Sequence, residues 1–304
     1  MSSIGMRMEI LLERHPLLRM ALAGPLALRR VWLHWRWQPV EAVMKRVGEI
    51  LREDVVFEAK EFGGTFSIDP RSHLLHRLLR YGSYEPRISS LFLSLINPEN
   101  DFVDVGANIG FYTIGGAKKL TVGRVLAAEP STGAFARLSE NVLRNGLTDR
   151  VVLFKGLIGA TRGQAKIHYV NGLEEYASMY MPIEKAIRDE EIKTENVPME
   201  RLDDLVAAHA LKPSLLKVDV EGSEYSVFSG AQKVLSTFRP VVISELWRNP
   251  PGIGGKSGAD IIRMFEALDY VVVNPEDPHA RPGLRKVGEI LCVPKEQYAA
   301  SLLS

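Results

Sequence analysis

Apolar residues fall along the chain in short continuous runs, separated by longer stretches in which they recur at helical spacing. DFVDVG (101–106), VLAAE (125–129), VVLFKG (151–156), LLKVDV (215–220), VVISEL (241–246), YVVVN (270–274) and Val287 to Val293 are the runs, and each reads as a buried strand. Ala134 to Asn145, Tyr225 to Leu235 and Asp260 to Leu268 carry the helical pattern between them. Strands alternating with helices of this length predict an α/β fold whose sheet is mostly parallel and covered on both faces. The last two strands are joined by the polar stretch Pro275 to Lys286, which leaves no room for a covering helix. They predict an antiparallel hairpin at one edge, and a sheet of seven strands in all.

The chain ahead of this alternation is patterned differently. Phe57 to Ile68 reads as strand, turn, strand, with Gly63 and Gly64 at the turn. A helix over His73 to Tyr81 follows, then Tyr84-Glu85-Pro86, an apolar helix to about Ile96 and a turn at Asn97 to Asn100. Residues 160–200 interrupt the rhythm. TRGQAKIHYV (161–170) suggests a strand pair, and Asn171 to Asn196 is polar and charge-rich. Such an insertion is either a lid over a site or a solvated loop and helix. Three segments result: a helical extension over 1–56, a hairpin with helices over 57–100, and a core over 101–304 that carries the 160–200 insertion.

The extension is basic and rich in tryptophan. From Arg14 to Val40 there are five arginines, two histidines and no acidic residue, together with Trp32, Trp35 and Trp37. Pro16, Pro25 and Pro39 divide it into short helices. Two readings stand side by side. The segment lies in a membrane interface, with arginines at phosphates and indoles at headgroup depth, or it packs on the core or on a second copy of the chain. The apolar run Met20 to Leu28 is short, holds Gly24 and Pro25, and is followed by Arg29 and Arg30, so it lacks the pattern of a cleaved leader.

Bulk charge removes one class of partner. A formal net charge of +1 gives no global field for nucleic acid. Cys292 is the only cysteine, which excludes an intrachain disulfide and a thiolate metal cluster and fits a reducing compartment. With no apolar run long enough to span a bilayer, the expected location is the cytoplasm, at the inner membrane face if residues 14–40 bind lipid.

The first candidate chemistry follows the first core strand. Asp104, Gly106, Asn108 and Gly110 form a loop that opens a helix at Phe111. Glycines there let backbone approach a ligand, and the helix start favours its polar groups. Glu129 ends the next strand 19 residues after Gly110, where a carboxylate can accept hydrogen bonds from two ribose hydroxyls. Dinucleotide loops use G-x-G-x-x-G to hold a pyrophosphate. Here the spacing is D-x-G-x-x-x-G, and Asp104 would repel a pyrophosphate but suits the ammonium of a methionine tail. That favours S-adenosylmethionine over a nicotinamide dinucleotide.

The second candidate site closes the fourth strand. Lys217 to Glu224 reads KVDVEGSE, and Glu245 ends the neighbouring fifth strand. Carboxylates at strand ends are not explained by burial, since ionised groups are costly inside. Asp219, Glu221 and Glu245 are therefore expected to converge beside the cofactor's reactive end. Asp219 is the first candidate for orienting or deprotonating an acceptor hydroxyl, with Glu221 and Glu245 second. The three also form a candidate oxygen-only site for Mg or Mn. Two structural roles stay open: Asp219 on the methionine amine, and Glu221 as a cap for the helix that starts at Gly222.

These residues resemble the FkbM family of methyltransferases. The resemblance runs over about residues 80–293. It is carried by Phe102 to Thr113, Glu129-Pro130, Asn141 with Asn145, Leu202 to Leu205, Lys217 to Glu224, Gly230-Ala231 and Pro240 to Glu245, in that order. It implies a class I methyltransferase fold of the Rossmann-like type acting mostly in O-methylation of sugar, glycolipid or natural-product hydroxyls. By the same resemblance Asp104, Gly106, Asn108, Gly110, Glu129 and Pro130 bind S-adenosylmethionine, while Asp219 and Glu221 belong to the family's acidic motif. The basic extension lies outside the family core. Two other functions compete: a non-catalytic membrane or assembly protein on a retained scaffold, and an NAD(P)-dependent oxidoreductase.

Overall fold

The seven strand runs form one sheet, in which alternate residues of each strand feed opposite cores. A computed structural model describes residues 53–170, 177, 179, 192–247, 256–276, 282 and 287–301. The basic segment 14–40, almost all of the expected 1–56 extension, and most of Asn171 to Asn196 lie outside the described residues.

In chain order the elements are β1 (Val55–Ala59), β2 (Gly64–Ile68), α1 (His73–Tyr81), α2 (Pro86–Leu95), β3 (Asp101–Val105), α3 (Phe111–Ala117), β4 (Val125–Glu129), α4 (Thr132–Arg144), β5 (Val151–Lys155) and β6 (Leu157–Ile158). There follow β7 (Gly163–Val170), β8 (Ile192–Glu200), α5 (Leu202–Ala208), β9 (Pro213–Val218), α6 (Glu224–Ser229), α7 (Gln232–Thr237), β10 (Val241–Trp247), α8 (Gly258–Ala267), β11 (Tyr270–Val273), β12 (Val287–Pro294) and α9 (Lys295–Ser301).

The main sheet runs β11-β12-β10-β9-β3-β4-β5. β5, β4, β3, β9 and β10 are mutually parallel, whereas β12 pairs antiparallel with both β10 and β11. The predicted edge hairpin is there, with the last strand inserted between its partner and the parallel block. The strand order reverses between β3 and β9, which opens a crevice at their carboxyl ends. This is the strand order of the class I methyltransferase fold that the resemblance implied.

Phe102, Val125, Ala127, Leu215 and Ile243 face one core, with residues of β1, β2 and α1 to α4; Val103, Val105, Leu126, Leu216 and Val242 face the other, with α5 to α8. The β1–β2 hairpin is therefore part of the catalytic core rather than an appendage. Two asparagines fasten it. Asn141 accepts the Ser67 N–H at 2.6 Å and donates to the Ser67 carbonyl at 3.1 Å and to the Ile109 carbonyl at 2.9 Å. One helical turn on, Asn145 accepts the Thr65 N–H at 3.1 Å and donates to the Thr65 carbonyl at 2.7 Å. A four-residue step along α4 thus matches a two-residue step along β2, and each amide completes a backbone pair that the strand edge lacks. Asp203 does similar work on the opposite face: its carboxylate accepts the Val234 N–H at 3.0 Å and the Arg201 guanidinium at 2.8 Å, locking α5 to α7.

Two expectations need correction. TRGQAKIHYV holds one strand, not a pair: β7 pairs antiparallel with the distant β8 from Gly163↔Met199 to Val170↔Ile192. The alternation in 163–170 signalled a strand, but the turn residues before it suggested a local partner. The helix expected over Tyr225 to Leu235 is two, α6 and α7, separated at Gly230–Ala231. Glycine is required at that point because a Cβ on Gly230 would lie 2.0 Å from the Gly159 carbonyl oxygen.

Candidate active site

The crevice between β3 and β9 is lined by the loop after β3, the ends of β4 and β9, Glu245 of β10, and Tyr84 and Glu85 from the α1–α2 connection. His73, Leu74 and Arg77 of α1 form part of its wall, and Ala177 and Met179 approach it from the insertion. Residues of the segment ahead of the sheet and of the insertion thus both reach the crevice.

The loop after β3 is shaped chiefly by protein, not by space left for a ligand. Gly106 has φ +81°, and a Cβ there would lie 1.8 Å from the Asp219 carbonyl oxygen. The glycine is required because the end of β9 crosses directly over it; the Asp219 N–H donates to the Val105 carbonyl at 2.9 Å. Asn108 takes φ +51°, a left-handed turn that asparagine tolerates. Its N–H then donates to Glu129 Oε2 at 3.0 Å, while the Ser131 N–H donates to Oε1 at 2.9 Å. Gly110, with φ +95°, caps α3 and packs on Leu138, and it does not line the crevice. Asp104, Gly106, Asn108, Glu129 and Pro130 do line it.

Both buried carboxylates here hold their protons more tightly than usual. Burial pushes Glu129 up to about 7, although the Ser131 and Asn108 donors oppose it. Burial likewise pushes Asp104 up to about 6, against the Thr113 hydroxyl that donates to it at 2.6 Å. The donor set suits a nucleoside with an amino-acid tail. Glu129 accepts a backbone N–H on each oxygen and a hydrogen bond from the Ser131 side chain, and the acceptor capacity of a carboxylate still leaves room for a ribose hydroxyl. Asp104, buried beside the β3–β9 crossing, offers a carboxylate to a cation and none of the donors that a pyrophosphate needs.

At the other end, carboxylate oxygens of Asp219, Glu221 and Glu245 lie within 4.8 Å of one another, each residue half-buried. The expected convergence is present, and oxygen donors alone match the hard-cation class. Glu221 sits in the left-handed region at φ +49°. At the start of α6, Glu224 accepts the Gly222 N–H at 3.0 Å, and burial pushes Glu224 up to about 7.

Sequence reasoning gave Lys217 no role. It is almost wholly buried on β9, beside Asp104 in register, with Nζ 3.1 Å from Asp219 Oδ2 and 5.1 Å from the Tyr112 ring centroid. Burial alone would lower its affinity for a proton, but Asp219, Glu85 and Glu289 together outweigh that and hold it above the ordinary lysine range. It is a fixed cation. Its signal was a lone lysine inside an apolar strand, LLKVDV. Tyr112 joins the same group, its hydroxyl donating to Glu85 Oε2 at 2.8 Å. Glu289, opposite Glu245 in the sheet, is pushed up to about 7 by burial despite Lys217.

The Methyltransferase FkbM domain matches residues 104–272, more than half of the 304-residue chain. The chain is 29% identical over 184 residues to Methyltransferase sdnD of Sordaria araneosa, a match covering 51% of this chain and 70% of that protein. Among solved structures, the methyltransferase FkbM of Methylobacillus flagellatus KT aligns at 15% identity and a TM-score of 0.42, covering 72% of this chain. This chain spans about half, 53%, of that protein's length. The precorrin-6y C5,15-methyltransferase of Geobacter metallireducens GS-15 aligns at 14% identity and a TM-score of 0.39, covering 70% of this chain and 89% of that one. Among the described residues no helix is long and apolar enough to cross a membrane.

Proposed function

Because the chain belongs to the FkbM methyltransferase family, we propose that it transfers a methyl group from S-adenosylmethionine to a hydroxyl of a sugar, glycolipid or natural-product acceptor. When bound, S-adenosylmethionine supplies an electrophilic methyl carbon. Glu129 holds the ribose hydroxyls, and Asp104 with the Gly106 to Asn108 backbone holds the rest of the cofactor. Asp219 accepts the hydrogen bond of the acceptor hydroxyl and would receive its proton as the bond from oxygen to the methyl carbon forms and the bond from that carbon to sulfur breaks. Glu221 and Glu245 bind and orient the acceptor, because alignment of the oxygen carries much of the rate.

The observation that carries this reading is the Lys217–Asp219 pair at 3.1 Å, on the far side of β3 from Glu129. The buried Lys217 ammonium holds one oxygen of the Asp219 carboxylate in a fixed direction, as a group that must meet an acceptor hydroxyl requires. The same cation pairs with Asp219, one of the three converging carboxylates. Transfer is therefore expected to continue in a chelator, and dependence on added Mg or Mn would assign the three carboxylates to a metal instead.

The test has two steps. Calorimetry should show S-adenosylhomocysteine binding that is lost in Glu129→Ala, and no binding of NAD. Incubation with trideuteromethyl-labelled cofactor and a panel of glycosides and glycolipids should then give a labelled methyl ether by mass spectrometry. Label on nitrogen or carbon would overturn the hydroxyl assignment and leave the family intact.

A further inference from the structure

Two charged residues from the segment ahead of the sheet line the crevice, and methyl transfer as derived above uses neither. Arg77 lies on α1 and Glu85 in the α1–α2 connection, with 3.8 Å between guanidinium nitrogen and carboxylate oxygen. Sheet order fixes which end of the crevice they serve. Glu129 and the Gly156 to Ile158 wall lie on one side of β3, and Asp219 lies on the other. A nucleoside whose ribose meets Glu129 must send its amino-acid end across Gly106 toward β9. Glu85 belongs to that side, tied through the Tyr112 hydroxyl at 2.8 Å to the ring beside Lys217.

The backbone of Glu85 is unusual. It sits at φ 46° and ψ 56°, the left-handed region, and it precedes Pro86, which favours extended backbone in the residue before it. Strain of this kind persists where the surrounding structure enforces it and clusters at ligand clamps. Here it aims a carboxylate at the crevice next to a cation.

Resting on the cofactor reading above, we propose that the Arg77–Glu85 pair reads the zwitterionic amino-acid end of S-adenosylmethionine, Arg77 taking the α-carboxylate and Glu85 the α-ammonium. The two ligand charges sit on one carbon. An ion pair of similar span can therefore present the opposite charge to each, and a neutral tail gains nothing from it. Asp104 is the deeper partner for the same ammonium, with Thr113 already on one of its oxygens.

Calorimetry on the full chain tests this with two ligands. S-adenosylhomocysteine carries the zwitterion, whereas 5′-deoxy-5′-methylthioadenosine keeps the adenosine and sulfur without it. Arg77→Met should weaken S-adenosylhomocysteine about tenfold and leave methylthioadenosine within about twofold. Glu85→Gln should show the same selectivity with a smaller loss. Equal losses on both ligands, or no loss on S-adenosylhomocysteine in Arg77→Met, overturn the proposal. Methylthioadenosine binding doubles as the check on folding. If Glu85→Gln fails to fold, Arg77→Met decides alone, since that side chain is 54% exposed. A wild type that binds neither ligand overturns the cofactor reading itself, a different result from either of these.

Discussion

The two ends of the crevice are built on different principles. On the Glu129 side the fixed points are backbone groups: Asn108 and Ser131 N–H donors on one carboxylate, and a glycine forced by the strand that crosses it. On the Asp219 side they are ionic side chains brought together from separate elements, with Lys217 at the centre. Backbone geometry suits a ligand that never changes, and the nucleoside part of a cofactor is such a ligand. Side chains can be exchanged without disturbing the loop, and acceptor chemistry is what differs between related transferases.

The largest effect should come from the ionic end. Asp219→Asn removes the proton acceptor and is expected to cut methyl transfer by roughly 10²- to 10⁴-fold, with S-adenosylhomocysteine affinity nearly unchanged in calorimetry. Parallel loss of binding and turnover would make Asp219 a cofactor ligand and erase the contrast between the two ends. The melting temperature should be followed in the same experiment. The substitution leaves Lys217 buried with Glu85, Glu289 and Asp104 to offset its charge.

The backbone end should fail differently. Gly106→Ala places a Cβ 1.8 Å from the Asp219 carbonyl oxygen at φ +81°. The expected cost is about 3 kcal/mol or more of stability, and with it loss of cofactor binding, because β9 must move away from β3. A variant of normal stability that still bound S-adenosylhomocysteine would show the crossing to be adjustable. Further from the crevice, Asn141→Ala strips three hydrogen bonds from a buried site and should cost about 2 kcal/mol in denaturant unfolding. Asn145→Ala should cost less, since its contacts are only partly buried.

The same contrast explains what could be read from the sequence. All seven strands of the main sheet, the edge hairpin and the 73–81 helix were legible, because buried strands and amphipathic helices write their period directly into the chain. The loop after β3 was legible as a crevice wall because its residues are contiguous. Asp219, Glu221 and Glu245 were found because strand order places the ends of β9 and β10 side by side. Arg77, Glu85, Tyr112 and Glu289 were not, since they come from four segments whose approach no local pattern records. Gly106 was chosen for close approach to a ligand, and it lines the crevice, but a second constraint on it was invisible in the sequence. The pressure on it comes from Asp219, which is 113 positions away.

The smallest effect concerns protons on Glu129. In the unliganded protein this carboxyl titrates at about 7, against an ordinary 4.5, because it is buried. A raised acid holds its proton in the folded state after the unfolded chain has released it. Its contribution to stability is thus complete below about 4.5 and lost as pH rises through about 7. Ribose hydroxyls donate, and so favour the ionised form. Cofactor affinity should run the other way and strengthen as pH rises through about 7. The thermal shift produced by S-adenosylhomocysteine is expected to grow from about pH 5.5 to about pH 8 in the wild type and to flatten in Glu129→Gln. Glu224 titrates in the same range but does not line the crevice, so its contribution cancels in that difference. Asp104, raised to about 6, leaves a residual slope at the acid end in both proteins. A slope identical in the two would mean that the proton sensed on binding sits at the ionic end of the crevice and not on the carboxylate that the backbone holds.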